Sequence, residues 1–599
     1  MKILPAIALL GTLGLIDHAF AQDRQQRALR WMDKAPLDVP KAADGKAAAT
    51  SAIILDGGTN GLPILADAVL DMDRGGLPIW HETVQLPVGT SSISVVLENA
   101  RYEVVPEALL RSLPALQDLG ADPIVNAIVA IQRKMPFGQV TIEPFRRNSS
   151  TGQVERLLDF NLVVQPGRSG VPARPKSYPA SSKLVSGNWY RFSVVEDGVY
   201  KVRYADLQQM GVDMAGLSSD RINIYGNHFG LLPFENSVER PTDLLVNAIE
   251  VVDGGDGNFG PDDHILFYAS GAQRWDRNAD LFRHTKNAYT DSAVYFVGLD
   301  VEPPVRIAQA ILSSDPASAT VTAFDDRQFI ERDLINLLKS GRTWFGETFD
   351  LTTSYTFGFN VPFLVSGEQA TLVAAGAART IGTSNYSSFD VVSGSALDTN
   401  FTVQGVTENY SGQYGRTFRQ EMRFAPTGST LLFAVTFNKF NPITSVAWLD
   451  YLELNCRREL KMAGNQLAFR DLRTASPGTV SEFVLDQAQT VSRIWEITNP
   501  TDARRVDFTI DGSSKRFRMN TDTLRQFIAF RDADYLSPTP IGPVPNQNLH
   551  ATTIPTDLII VCPPEFQSAA VRLAERRMSQ GLSVLITSPQ QVFNEFSSG

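Results

Sequence analysis

Asp557-Leu558-Ile559-Ile560-Val561-Cys562-Pro563-Pro564 and, further on, Gly581-Leu582-Ser583-Val584-Leu585-Ile586 decide how this chain ends. Each continuous apolar run has the length and β-branched content of a strand buried on both faces. Between them, Phe566, Ala569, Ala570, Leu573 and Ala574 recur at helical spacing, with Arg572, Glu575, Arg576 and Arg577 mostly on the other side and Gly581 as the stop. A strand, a helix and a strand in this order form a right-handed βαβ unit of a parallel sheet. Parallel sheets need further strands and helices on both faces, yet the sequence given stops at Phe596-Ser597-Ser598-Gly599. The expectation is a front portion of a longer protein, cut inside an α/β domain.

Towards the N-terminus the pattern changes to short alternating runs separated by Gly, Ser, Asn and Thr. With 599 residues, about three to six folded units are expected. The fold class read from the sequence is multidomain and mainly β, with β-sandwich or jelly-roll-like units, followed by the first βαβ unit of an α/β domain. Residues 22–50 are polar and alanine-rich and read as a flexible leader in which Trp31 is the one large anchor. Residues 51–180 read as an N-terminal, propeptide-like β-rich domain with one helix near 108–119 and a Pro- and Ser-rich linker. A β-rich domain at 187–300 includes a short helix at 204–210. A connector at 301–340 leads to a β-sandwich at 341–464, a further β-rich domain at 465–550, and the incomplete α/β start at 552–599.

Residues 1–21 combine Lys2, an apolar run over 3–16 and Ala19-Phe20-Ala21 ahead of Gln22. This is the layout of a secretory signal peptide cleaved between Ala21 and Gln22, because the run is shorter than the roughly 20 residues a bilayer requires. The mature protein is therefore expected outside the cytoplasm. Its 54 Lys and Arg against 65 Asp and Glu give a formal charge of -11, which repels a phosphate backbone, so nucleic acid is excluded as a partner.

Two cysteines in such a length cannot make a disulfide framework or a thiolate metal site. Cys456 follows an alternating strand pattern and Cys562 ends an apolar run, so both read as small core residues and not as nucleophiles. Of the six histidines, His18, His81, His228, His264, His284 and His550, none stands three to five residues from another, which excludes a helical zinc pair. His264 precedes Ile265-Leu266-Phe267-Tyr268 and reads as a half-buried structural residue. The stretch from Asp253 to His264 concentrates Asp253, Asp256, Asp262 and Asp263 among glycines. It reads either as a solvated hairpin tip or as a calcium-binding turn, although the EF-hand spacing is not met. No other cofactor is required.

A family resemblance sits on particular residues. Pro555-Thr556-Asp557-Leu558-Ile559-Ile560-Val561, through Gln590-Gln591-Val592-Phe593-Asn594-Glu595-Phe596-Ser597-Ser598-Gly599, resembles the opening of the gingipain-family cysteine peptidase domain. Ile224-Tyr225-Gly226-Asn227, Asp263-His264-Ile265-Leu266-Phe267-Tyr268, Ser340-Gly341-Arg342-Thr343-Trp344-Phe345-Gly346-Glu347, Trp448-Leu449-Asp450-Tyr451 and Asn546-Gln547-Asn548-Leu549-His550 narrow it to the sortases of the type IX secretion system. His264 stands where an aromatic residue is expected. The resemblance covers residues 189–599 and implies a caspase-like α/β domain and a cell-surface peptidase and transpeptidase of Bacteroidota-like bacteria, associated with the outer membrane. Its implied partners are cargo proteins with C-terminal secretion signals, a lipopolysaccharide acceptor and other outer-membrane secretion components. Its catalytic His and Cys would lie beyond Gly599, so no residue here inherits either role. The competing reading is a secreted adhesion or glycan-binding protein whose sandwich presents Tyr410 and Tyr414.

Overall fold

A computed structural model describes residues 23–32, 64–65, 68–71, 77–106, 110, 116, 119–132, 135–167, 179–235, 238–409, 412–552 and 555–599. Two compact units divide the chain, Met1–Ser177 and Tyr178–Gly599. The signal segment with Ala21 and Gln22 lies outside the described residues, as does most of the helix expected near 108–119.

In the first unit, Val154–Gly167 lies between Asp23–Ala28 and Ser92–Val104 in an antiparallel sheet, and Leu77–Gln85, Met135–Glu143 and Ile124–Gln132 belong to a second. Leu86, Val140, Ile142, Leu157, Phe160 and Leu162 fill the core between them. The leader expected at 22–50 is corrected over residues 23–32, and residues 22 and 33–50 lie outside the described residues. Asp23–Ala28 pairs residue by residue with the 159–164 stretch, and the Trp31 indole donates to the Leu157 carbonyl at 2.8 Å. The reason is that an edge strand can be held by backbone hydrogen bonds alone, which leaves no alternation in the sequence DRQQRA.

The second unit contains three β bodies. Asn188–Val194 lies in a five-stranded sheet between Ala293–Leu299, its central strand, and Thr539–Val544 at the edge. A three-stranded sheet of Gly198–Arg203, His264–Ala269 and Glu250–Val252 packs against it through Phe192, Tyr200, Ile224, Phe267 and Tyr295. The second body is the sandwich. One sheet orders Ala323–Glu331, Val446–Glu459, Ala370–Arg379 and Arg416–Phe424, and the other orders Ser354–Asn360, Thr430–Asn438, Tyr386–Ser393 and Leu397–Gln404. Phe389 is fully buried at its centre, with ring centroids 4.7 Å from Phe418, 5.0 Å from Phe437 and 5.6 Å from Phe349. Burying one such side chain stabilises the fold by roughly 1.5–3 kcal/mol. The third body also has two sheets, drawn from residues 308–321 and 466–530.

These pairings correct three expected boundaries. Ala308–Gln309 and Ala319–Val321 are parallel partners of Arg504–Arg505 and Val480–Leu485, so 301–340 is not a free connector. The sandwich begins with Ala323–Glu331, before residue 341. Thr539–Val544 completes the sheet of the 187–300 body and is not part of 465–550. In each case the partner is more than a hundred residues away, and a local pattern cannot name it. Among the described residues no helix is long and apolar enough to cross a membrane.

Candidate functional site

Leu558–Val561 and Val584–Thr587 pair in parallel, and Gln567–Met578 crosses between them, so the βαβ unit forms as its sequence dictates. Ala570 and Ala574 face the strands, while Arg576 and Arg577 occupy the last turn, where cations suit the helix dipole. Gly581 takes φ +85°, a backbone state that costs glycine least. The expected burial on both faces is corrected: Ile559 is 58% and Val561 51% exposed. A two-stranded sheet covered by one helix among the described residues has one face for solvent.

A second helix, Pro589–Phe596, follows. The Ser588 hydroxyl accepts from the Gln591 amide at 3.2 Å, the Gln591 side chain accepts from the Ser588 amide at 3.0 Å, and Pro589 sits at the first position. Ser588-Pro589-Gln590-Gln591 is a legible start signal that the strand pattern overshadowed. This helix docks the unit onto the segment 546–550. The carboxylate of Glu595, fully buried, accepts from the amides of Leu549 (2.8 Å) and His550 (3.2 Å), from Gln547 Nε2 (2.8 Å) and from His550 Nδ1 (2.6 Å). His550 Nε2 meets the Thr242 carbonyl at 2.8 Å, and its ring stacks on Phe596 at 4.7 Å. Asn594 Nδ2 donates to Gln547 Oε1 at 3.2 Å. The start of the α/β unit is therefore positioned by side chains of both partners, in the segment that carries Asn546-Gln547-Asn548-Leu549-His550.

Ligand sites of parallel sheets form at the C-terminal ends of the strands, here Cys562 and Ser588. Cys562 is a half-buried free thiol whose amide donates to the Thr587 carbonyl at 3.0 Å. Pro563 and Pro564 follow it and offer no backbone N–H to an oxyanion. Cys456 is buried in the sandwich core, where burial pushes its thiol well above the ordinary range and makes a thiolate inaccessible at neutral pH.

The acidic turn does not gather its carboxylates on one point. Asp253 accepts from the Gly255 amide at 3.0 Å, Asp256 from Asn258 at 2.8 Å, and Asp263 from Gly260. Asp262 adds no such local contact, and among the described residues no three His, Cys, Asp or Glu side chains are placed to share a metal ion. His264 is half-buried at the start of its strand, and burial lowers its pKa. Tyr414 leans on Trp448 at 6.1 Å under the Arg379 guanidinium at 4.6 Å, while Tyr410 lies outside the described residues.

Two polar clusters escaped the sequence reading. His228 Nδ1 contacts the Ser270 hydroxyl at 3.0 Å and the Tyr295 hydroxyl at 3.1 Å, and burial lowers the pKa of this imidazole to about 4. His284 lies between Glu331 (2.6 Å) and Glu453 (2.8 Å) and stacks on Phe329 at 4.2 Å. Burial opposes its charge, but the two carboxylates outweigh that and raise its pKa. Both belong to packing between strands and hairpins distant in sequence.

Comparison with known proteins agrees with this placement. Residues 551–599 match the family described as peptidase family C25. None of the curated proteins compared matches the chain. Among solved structures, dimeric latent PorU from Porphyromonas gingivalis is similar at 23% identity with a TM-score of 0.59, over 70% of this chain and 39% of that one. A carbohydrate-binding module CBM36 in complex with calcium and xylotriose aligns over 21% of this chain and 98% of its own at 12% identity, with a TM-score of 0.15, too low to bear on fold or ligand. The chain thus has the mainly β fold of PorU and leads into a stretch that matches peptidase family C25.

Proposed function

We propose that the chain is the N-terminal part of a cell-surface cysteine peptidase and transpeptidase of PorU type, exported by its signal segment and held at the outer membrane. The whole protein would remove the C-terminal secretion signal of type IX cargo. A cysteine thiolate adds to the carbonyl carbon of the scissile peptide bond, the amine of the signal leaves with a proton, and an amine of lipopolysaccharide then displaces the thiolate from the acyl-enzyme. The observation that carries this reading is positional: the stretch matching family C25 starts where the PorU-like β bodies end, and Glu595 and His550 join the two.

In this reading the 599 residues themselves are inactive. Cys456 is sealed in a core and Cys562 precedes two prolines, so neither has the base and oxyanion donors that a thiolate nucleophile needs. The test incubates this chain, and separately the product of its uninterrupted reading frame, with a cargo protein bearing a C-terminal secretion signal. Mass spectrometry of the cargo should show the signal removed by the longer product alone. Removal by neither sinks the peptidase reading. Removal by the 599-residue chain, abolished in Cys562→Ala, sinks its inactivity.

A further inference from the structure

A cavity of about 490 Å³ opens between the three β bodies of the second unit. Its size falls within the ~300–1,000 Å³ typical of small-molecule sites. Asp197 enters it from the turn after Asn188–Val194, Trp275 from the hairpin strand Arg274–Asn278, Arg327 from Ala323–Glu331, Arg458 from Val446–Glu459 and Arg470 from Gln466–Arg470. The three arginines differ in how well they are satisfied. Arg458 donates to Asp326 at 3.1 Å and to the Pro362 carbonyl at 2.7 Å. Arg470 is 4% exposed, yet its one hydrogen bond goes to the Asp325 carbonyl at 3.3 Å, and its buried Nε has no partner. The Arg327 guanidinium makes no hydrogen bond or ion pair among the described residues. It lies over the rings of Phe282 at 4.6 Å and Trp275 at 5.1 Å.

Of the two carboxylates in the lining, Asp326 is taken by Arg458. Asp197 accepts from the Gly271 amide at 2.8 Å and is open to the cavity, but the protein crowded round it desolvates the carboxyl and raises its pKa. Burial likewise disfavours the charge on Arg327 and Arg470, and each repels the other. Asp325, Asp326 and Asp197 offset part of that cost for Arg470, and Asp197 and Asp326 for Arg327, but none of them pairs with either guanidinium, and guanidinium groups do not lose their proton in proteins, so an entering anion would be favoured. A buried cation without a counter-ion costs several kcal/mol, and a guanidinium fork matches the two oxygens of an oxyanion.

We propose that this cavity is a binding site for an oxyanion group of a small molecule, a phosphate or a carboxylate, gripped by Arg327 and Arg470 beside the Trp275 ring. Asp197 is its internal competitor. When the oxyanion is away, Asp197 is the carboxylate that acts most on Arg327, and when it enters, Asp197 opposes it. This role is independent of peptidase chemistry and stands or falls separately from it.

The test is calorimetric titration of the 599-residue chain with inorganic phosphate and, separately, succinate, at pH 7 and matched ionic strength set with sodium chloride. One saturable site is expected for at least one of them, and which one binds tells phosphate from carboxylate. Arg327→Met should weaken that binding at least about tenfold, because it removes a charged hydrogen-bond donor. Asp197→Asn keeps the acceptor for the Gly271 amide and should tighten binding severalfold, which a purely structural role for the arginines would not produce. Arg470→Met gives a second reading, and Arg327→Met suffices if that variant does not fold. No saturable binding of either anion, or binding by Arg327→Met equal to that of the parent chain, overturns the proposal.

Discussion

His550 Nδ1 and Glu595 Oε2, 45 residues apart in sequence, lie 2.6 Å from each other with side chains 1% and 0% exposed. Their contact ties the last helix to the segment that precedes the α/β unit. Gln547 Nε2 on the Gln591 carbonyl at 2.8 Å and Asn594 Nδ2 on Gln547 Oε1 at 3.2 Å belong to the same joint. Because the Glu595 carboxylate also serves two backbone amides and Gln547, the joint is a set of hydrogen bonds that fails together.

Glu595→Ala should therefore release residues 589–599. Removing one member of a buried charged network costs about 3–5 kcal/mol locally. Hydrogen exchange should show lost protection in the helix Pro589–Phe596 and unchanged protection in the sandwich. Equal protection in the variant and the parent chain would remove the joint from this account.

The two thiols should separate by chemistry. Iodoacetamide at pH 8 should label Cys562 in the native protein, and Cys456 only after denaturation, since burial raises the Cys456 thiol and closes it off. Peptide mass spectrometry reads both sites in one digest. Native labelling of Cys456 at a rate similar to Cys562 contradicts the packing described for the sandwich.

Stability should fall as pH rises from about 6.5 to 8, above the range in which His228, its pKa lowered to about 4 by burial, adds stability with rising pH. Burial pushes the Asp450 carboxyl up to about 7, helped by Glu331 and Asp333, so its contribution is full below 3.8 and disappears as the pH passes 7. His284, with its pKa raised above 6.5, loses its contribution in the same direction at the upper end. Asp450→Asn should flatten part of this slope and be more stable than the parent at pH 8 by about 1–2 kcal/mol, allowing for solvent near a half-buried group. Thermal melts at unit pH steps check this; identical slopes for the two proteins refute it.

Gly376→Ala probes the sandwich core. A Cβ at this position would come within 2.3 Å of the Trp448 carbonyl and 2.7 Å of the Phe418 ring. The strand pairing already shifts register between Ala375 and Gly376, so the backbone has little room to move. A loss of about 1–3 kcal/mol in urea unfolding is expected. A neutral result would mean that the backbone at Trp448 shifts along with the Phe418 ring and would contradict the packing described for this strand pair.

What the sequence revealed follows from the range of the interaction. The apolar run Leu558-Ile559-Ile560 and the stop at Gly581 are local signals, and the unit they predict is present. The helix Pro589–Phe596 was equally local in its capping residues but short, and it passed unnoticed. Asp23–Ala28 carries almost no apolar side chains, so only its partner strand reveals it. The cavity is further from reach. Arg327 and Arg470 sit among ordinary strand residues, and nothing in either neighbourhood says that the two face one void. Likewise, the four aspartates near residue 260 are adjacent in sequence, but backbone turns use three of them separately.

The strand Thr539–Val544, paired with Asn188–Val194, sets the order in which the second unit can mature. The first β body is begun near residue 188 and finished only when residue 544 arrives, with the sandwich and the third body inserted between. As the chain emerges, the two inserted bodies can close on contacts of their own while the first waits with an open sheet edge. Closing such a distant pair is slow, and an unpaired edge invites wrong partners. The last strand to join thus acts as a completion mark. The α/β stretch emerges only after that mark, so its docking helix meets a finished surface.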